Sequence, residues 1–292
     1  VATAMPTIVA DLGGFSLFSW VFGVFFLASA VTTPIFGKLA DMYGRKPVFN
    51  FGVALFLVGS LLCGLARSMP QLIIYRAIQG LGTGSVLPMT ITMVGDIYPG
   101  EERAKVQGWI ASVWAFASIV GPGMGAFIVQ NLDWALVFWI NLPVGVASTL
   151  VLHLYFREVV ERKRHHIDIL GAVLLIVGTV ALMLALTQGA DLSIEVLVPI
   201  YLLAVLCLAA FYWQERRAPE PMMPFSLWRI PIIKNGNIAV LLMGMLMMGV
   251  ISFLPTYVQG AMGRTPLVAG FALAMMSLGW PLAASLSGRL MS

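Results

Sequence analysis

Residues 37–47 read GKLADMYGRKP, a polar stretch that packs one acid, Asp41, and three bases, Lys38, Arg45 and Lys46, between two long apolar runs. Short cytoplasmic loops of membrane proteins retain Lys and Arg, so such a hinge belongs where a bilayer meets the cytosol. The surrounding composition agrees. Hydrophobic residues make up 60% of the 292 and charged residues 10%, with a mean hydropathy of +0.93, whereas charged residues are about a quarter of a soluble domain. The fold class expected is all-α, a polytopic transmembrane helical bundle.

Working outward, a spanning helix needs about 20 apolar residues at about 1.5 Å rise each. Nine runs qualify, at 15–36, 48–66, 71–98, 106–129, 136–156, 169–187, 196–213, 235–258 and 267–286. The opening VATAMPTIV reads as the end of a tenth. With no initiating Met, basic n-region or cleavage site it is not a signal peptide, and the expectation is a chain cut inside its first helix.

Fourteen of the 17 bases fall in the hinge and in alternate connections after it, while Arg67 and Arg264 lie on the opposite side and Arg76 inside a span. The connections rich in bases therefore face the cytosol. A pI of about 9.2 then reports topology and anionic headgroups, and without stacking aromatics among the bases no nucleic-acid partner is expected. Cys63 and Cys207 sit in different apolar runs and read as packed thiols. The pair His165 and His166 lies in REVVERKRHHID, whose bases would repel a cation, so no metal site is expected. His153, near the cytoplasmic end of its helix, reads as an interfacial packing residue.

Connection lengths group the helices. Residues 1–156 read as an N-terminal bundle with a truncated first helix, 157–213 as a basic linker and two inserted helices, and 214–292 as a connector and the first two helices of a second bundle. The connector QERRAPEPMMPFSLWRIP is made irregular by Pro219, Pro221, Pro224 and Pro231, and Trp228 would anchor it at headgroup level.

Chemistry is sought where polarity is expensive. Arg76, in QLIIYRAIQGLGTG, stands about six residues inside the outer end of its span. Insertion scales put the cost of such a base at about 2.5–3.5 kcal/mol, and an intramembrane base is by default a functional hypothesis. Gln79, Thr83 and Ser85 on the following turns suggest a wet interior face; the alternative is an arginine that snorkels to the outer headgroups. Gly80 and Gly84 are spaced four apart, as are Gly121 and Gly125 in SIVGPGMGAF, with Pro122 between them. Such pairs let helices approach closely, and the proline permits a kink. Plain packing is the reading for Gly64, Gly178 and Gly279.

These residues carry a resemblance to the major facilitator superfamily. GKLADMYGRKP is similar to its cytoplasmic loop signature at Gly37, Leu39, Ala40, Asp41, Gly44, Arg45, Lys46 and Pro47. RAIQGLGTG resembles its fourth-helix motif at Arg76, Gln79 and Gly80, and GPGMG its fifth-helix antiporter motif at Gly121, Pro122, Gly123 and Gly125, with Ala117 and Ala126 where glycine is usual. TAMPTIVADLGG, WALVFWINLPVG and DILG resemble the end of the first-helix motif, the sixth-helix entry and the start of the insert. Together they resemble the fourteen-helix drug:proton antiporter branch, although Ala135 stands where Arg often follows the sixth-helix Trp.

The resemblance implies a secondary transporter of the cell membrane, bacterial and cytoplasmic in placement, monomeric and without a cofactor, exporting hydrophobic or cationic drugs and antibiotics against protons by alternating access. It further implies four more helices after Ser292 and an acidic residue upstream of Val1 that couples protons with Arg76. Asp41 and Arg45 would form a cytoplasmic latch, and Asp96 would pair with Arg45 in the outward-facing state. The plain alternative for this loop is positive-inside anchoring, which needs neither Asp41 nor its two glycines. Substrate contacts are not identified: Met243, Met245, Met247 and Met248 with Phe253 and Tyr257 suit varied hydrophobic ligands, but also ordinary packing. A specific metabolite, siderophore or metal-chelated antibiotic is the alternative cargo. A polytopic enzyme would need converging nucleophile, base or metal groups, and a channel a filter or charge ring, and neither pattern is visible in the spans.

Overall fold

A computed structural model of the chain describes residues 1–156, 158, 168–189 and 192–276. The expectations for His165, His166, Gly279 and the later part of the run at 267–286 lie outside these residues. No strand occurs among the described residues. The longer helices are α1 (Met5–Leu12), α2 (Phe18–Tyr43), α3 (Arg45–Gly64), α4 (Met69–Ile97), α5 (Gly100–Asn131), the short α6 (Leu136–Trp139), α7 (Asn141–Tyr155), α8 (Ile169–Gln188), α9 (Ile194–Glu215) and α10 (Pro231–Thr256). An eleventh, α11, covers Pro266–Met276.

Among the described residues, seven helical stretches are both long and apolar enough to cross a membrane: Phe15–Tyr43, Arg45–Gly64, Lys105–Asn131, Leu136–Tyr155, Ile169–Gln188, Ile194–Glu215 and Pro231–Ala261. The run read at 136–156 is divided at Ile140 into α6 and α7. The cause is Pro143, which has no N–H for the carbonyl of Trp139 and so removes the bond that would bridge the division. At the outer end, α1 stops at Gly13 and Gly14, both with positive φ near 70°, a conformation open to glycine and costly for other residues.

The expectation for 71–98 needs correcting in character. α4 has 29 residues, enough to span, yet it is not among the helices apolar enough to face lipid. Arg76, Gln79, Thr83, Ser85 and several glycines dilute it. Its neighbours compensate, since α4 packs along both α2 and α3. Toward α2, an added methyl on Gly80 or Gly84 would collide with the backbone at Phe25 or Ser29. Toward α3, Gly82 meets the backbone at Gly52 and Phe56, while Gly59 of α3 meets that of Gln79. Small residues bring three backbones together, and Thr32 of α2 uses the closeness to donate its hydroxyl to the carbonyl of Leu81 at 3.1 Å.

Apolar clusters close the bundle above and below this seam. The outer cluster joins Met5, Ile8, Phe18, Val21, Cys63, Met69, Leu72 and Phe138. The cytoplasmic one joins Phe36, Val48, Phe49, Val53, Met89 and Met93. The inserted α8 and α9 pack mainly on each other and touch the N-terminal helices through α2.

Packing at Gly59 and Gly37 sets a contrast. Gly59→Ala forces a methyl into the backbone of α4 and should cost about 1–3 kcal/mol by overpacking. Gly37→Ala enters open space and should be neutral or stabilising by up to about 1 kcal/mol through helix propensity. Thermal unfolding of the full-length protein in detergent measures both; equal melting temperatures would remove the backbone contact as a constraint.

Candidate functional site: a buried arginine and a cytoplasmic joint

Arg76 lies seven residues into α4 and is 5% exposed. Its Nε donates to the carbonyl of Val21 on α2 at 3.1 Å, and one terminal nitrogen donates to Gln79 Oε1 at 2.5 Å. Gln79 in turn donates through Nε2 to Ser60 Oγ on α3 at 2.7 Å. The guanidinium carbon stands 3.9 Å from the centroid of the Phe25 ring, a contact worth about 2 kcal/mol when desolvated. These partners turn the side chain into the bundle and away from the outer headgroups. Among the described residues no carboxylate is within ion-pair distance of it.

The wet face expected at Gln79, Thr83 and Ser85 is corrected. Ser85 is fully buried, packs against Gly52 and donates to the carbonyl of Gly82. Thr83 donates to the carbonyl of Gln79 one turn back. Hydroxyls that can satisfy themselves on their own helix need no water. A polar chain, Val21, Arg76, Gln79, Ser60, crosses from α2 through α4 to α3.

The second constellation is the joint between α2 and α3. Gly44 ends one helix and begins the next at φ 100°, so this glycine has a backbone reason, whereas Gly37 sits in open space. Arg45 Nε is 2.8 Å from Asp96 Oδ2 at the cytoplasmic end of α4, an ion pair with its N–H off the oxygen axis. Its terminal nitrogen is 3.9 Å from Glu158. The pairing with Asp96 is the one that the resemblance implies, whereas Asp41 is exposed and joins none of the ion pairs among the described residues, Arg45 being turned toward α4 and the end of α7.

Sequence reading missed Glu158. Its carboxylate accepts the backbone N–H groups of Arg45 at 2.5 Å and Lys46 at 3.0 Å, covering the free N-terminus of α3. Lys46 answers by donating its ammonium to the carbonyls of His153 at 2.9 Å and Phe156 at 2.8 Å, at the end of α7. Each charge sits on the helix end of opposite partial charge and satisfies groups left unpaired there. The available signal was that Glu158 is the first acid after the run at 136–156.

The GPGMG stretch on α5 divides. A Cβ on Gly125 would come within 2.7 Å of Thr3 Oγ1, whereas among the described residues nothing lies within 4 Å of one on Gly121 or Gly123. The close approach expected at Gly121 is therefore absent and that at Gly125 present. On the other side, a Cβ on Gly270 of α11 would meet the Pro122 carbonyl at 2.9 Å and Ala126 at 3.1 Å, so this segment borders α11. Gly64 meets Trp139 and Gly178 meets Leu208, both close-packing sites. At the outer end the segments TAMPTIVADLGG and WALVFWINLPVG touch, Trp134 donating to Asp11 Oδ2 at 2.8 Å. Met243, Met245, Met248 and Phe253 of α10, and Tyr257 just after it, are exposed. No group of three or more potential metal ligands occurs among the described residues.

The fold and this site define a multi-pass helical membrane protein whose arginine-bearing helix is flanked by α2 and α3. The family model described as Major Facilitator Superfamily matches residues 1–292, and the chain belongs to that superfamily of membrane transporters, not to an enzyme family. It is similar to Multidrug resistance protein 3 of Bacillus subtilis, 39% identical over 99% of this chain and 57% of that protein. Multidrug transporter protein MdtP of the same organism is 36% identical over 99% of this chain and 54% of its own length. Efflux pump FUS6 of Gibberella moniliformis is 35% identical over 91% of this chain and 49% of its own. The chain thus spans about half the length of the curated relatives it matches.

Two outcomes follow from the geometry. The Arg45–Asp96 pair is partly exposed, at 25% and 44%, and such pairs are worth about 0.2–1 kcal/mol. The Glu158 carboxylate, with a side chain 8% exposed, makes charge-assisted bonds of about 1.5–3 kcal/mol each. Glu158→Gln should therefore increase thiol labelling of a cysteine introduced on the cytoplasmic side of the full-length protein more than Asp96→Asn does. The reverse order would make the ion pair the stronger tie. Separately, Gly125→Leu should reduce transport at least tenfold while Gly121→Leu changes it less than twofold, read in drug-export assays at matched expression; similar losses at both would show contacts at Gly121 in another conformation.

Proposed function

We propose that the chain is part of a proton-coupled drug efflux transporter that works by alternating access. The observation that carries this reading is Arg76, buried in a span and held by neutral partners, in a chain whose relatives bear the names of multidrug transporters. A cation so placed favours the ionised form of any acid brought beside it, and so makes protonation of that acid responsive to conformation. The resemblance puts such an acid upstream of Val1. Gln79 and Gly80 would hold the arginine and its helix in place.

The proposed organisation keeps 1–156 as the N-terminal bundle, 157–213 as linker and insert, and 214–292 as the opening of a second bundle in the fourteen-helix pattern. The mutual packing of α8 and α9 supports the middle boundary. In this scheme the bundles rock about a midplane site. Gly37, Asp41, Gly44, Arg45, Lys46 and Asp96 form the cytoplasmic gate, and Gly121, Pro122, Gly123 and Gly125 the flexible seam. The cargo is a hydrophobic or cationic drug, the energy source a proton gradient with no cofactor, the site a bacterial cytoplasmic membrane, and the working unit a monomer.

The test is substrate-dependent proton flux in vesicles holding the full-length protein. Arg76→Ala should abolish drug-driven proton movement, a loss of at least a hundredfold, with insertion retained. Arg76→Lys should recover only part, since an ammonium cannot reach the Val21 carbonyl and Gln79 with the same fork of donors. Wild-type coupling in Arg76→Ala would refute the assignment.

A further inference from the structure

A cavity of about 320 Å³ opens among α2, the inserted helices, the connector and α10, away from Arg76 and the cytoplasmic joint. Its walls are mostly apolar. Pro34 of α2, Leu175 of α8 and Phe211 of α9 form the floor, and Leu227 and Trp228 of the connector form one side. On three helices the wall is near the end joined to the linker or connector: Leu175 is six residues after Ile169, Phe211 four before Glu215, and Ile233 two after Pro231. On α2 it runs deeper, from Pro34 to Ala30 at the middle of Phe18–Tyr43, so the cavity extends from inner-leaflet depth toward the midplane, the course of an acyl chain.

The connector is fastened over this space. Glu215, 4% exposed, accepts the backbone N–H groups of Met222 at 3.1 Å and Met223 at 2.7 Å, and both methionines line the cavity. Asp168 caps α8 through the N–H of Gly171 at 2.9 Å and accepts from Gln214 at 3.2 Å, tying the two inserted helices together directly beneath. The rim is basic. Arg229 follows Trp228 in sequence and Lys234 follows Ile233, both exposed, while Lys38, one turn beyond Pro34, donates to the carbonyl of Glu220. Of the nearby acids, Glu215 is buried on the connector's own backbone and Glu220 faces Lys38 at 4.0 Å. An apolar hollow in the acyl region, under exposed cations at headgroup level, matches an anionic amphiphile in both halves.

We infer that this cavity holds one acyl chain of an anionic phospholipid of the cytoplasmic leaflet, with Arg229 and Lys234 on its phosphate. The lipid would wedge the first bundle, the insert and the second bundle at one point, and would tie the connector's position to membrane charge.

Native mass spectrometry of the full-length protein, exchanged into detergent with equal phosphatidylglycerol and phosphatidylcholine, tests this. Wild type should retain one phosphatidylglycerol, at least fivefold in excess over phosphatidylcholine. The double variant Arg229→Gln, Lys234→Gln should lose that preference, and Ala30→Trp, which fills the cavity from α2, should lose retention of both lipids. Equal retention of the two lipids by wild type, or unchanged phosphatidylglycerol in both variants, would overturn the proposal. So would displacement of the lipid by a cationic dye at equal concentration, which would make the hollow a cargo entrance. Drug-driven proton flux in the same preparations separates this outcome from failure of the transport reading, because Ala30→Trp leaves Arg76 and the joint untouched.

Discussion

A guanidinium inside a membrane protein must find its partners within the protein, and the first half of the chain is arranged around that requirement. Arg76 can reach the carbonyl of Val21 only if α2 and α4 run close together, and Gln79 can reach Ser60 only if α3 does the same on the other side. Gly80 and Gly84 permit the first approach, Gly82 and Gly59 the second. The glycines that make the seam possible also lower the hydrophobicity of α4, which in turn obliges α2 and α3 to cover it. Charge, small residues and helix order are one constraint seen from three sides.

The cytoplasmic joint obeys a similar logic with different material. The turn at Gly44 starts α3 with unpaired N–H groups at the membrane edge, and α7 ends nearby with unpaired carbonyls. Glu158 and Lys46 exchange charges between these two ends, so each helix terminates the other. The ion pair of Arg45 with Asp96 then adds α4 to the joint at lower cost to break. A well-held tie beside a weak, exposed one suits a place that must stay assembled while one contact opens.

Much of this was legible before any coordinates. Apolar runs located most helices to within a few residues, because bilayer thickness acts on sequence directly, but α2 runs on to Tyr43 and α5 begins at Gly100, and the polar stretch 37–47 is helical except at Gly44. Arg76, Gln79 and Gly80 stood out by polarity and spacing in an apolar run. What the sequence could not carry was partnership across helices. Ser60 and Phe25 look like ordinary residues of their own runs until α4 is placed between them, and the acceptor on α2 is a backbone carbonyl with no side-chain signature. The partner of Arg45 on α4, Asp96, came from the resemblance and not from spacing, and its second partner, Glu158, had no signal beyond its place after an apolar run. Gly121 and Gly125 are equivalent by spacing, and only the neighbour at Thr3 distinguishes them.

The same asymmetry bears on how α10 and α11 meet the N-terminal helices. Among the described residues, Gly270 of α11 rests on the Pro122 carbonyl, Gln259 donates to the carbonyl of Thr3 at 3.3 Å, and the rings of Phe18 and Phe253 stand 5.8 Å apart. Pro122 has no N–H, so the carbonyl of Ser118 one turn earlier is released from the helix ladder and α5 bends there more easily than elsewhere. The place where α11 leans is therefore also the place where α5 yields. Gly125 fixes the helix to α1's entry segment just beyond this point, while Gly121 and Gly123 leave the near side unobstructed. A helix held at one end of a proline step and free at the other transmits a tilt of its neighbour as local bending, and spares the packed seam around Arg76 from moving with it.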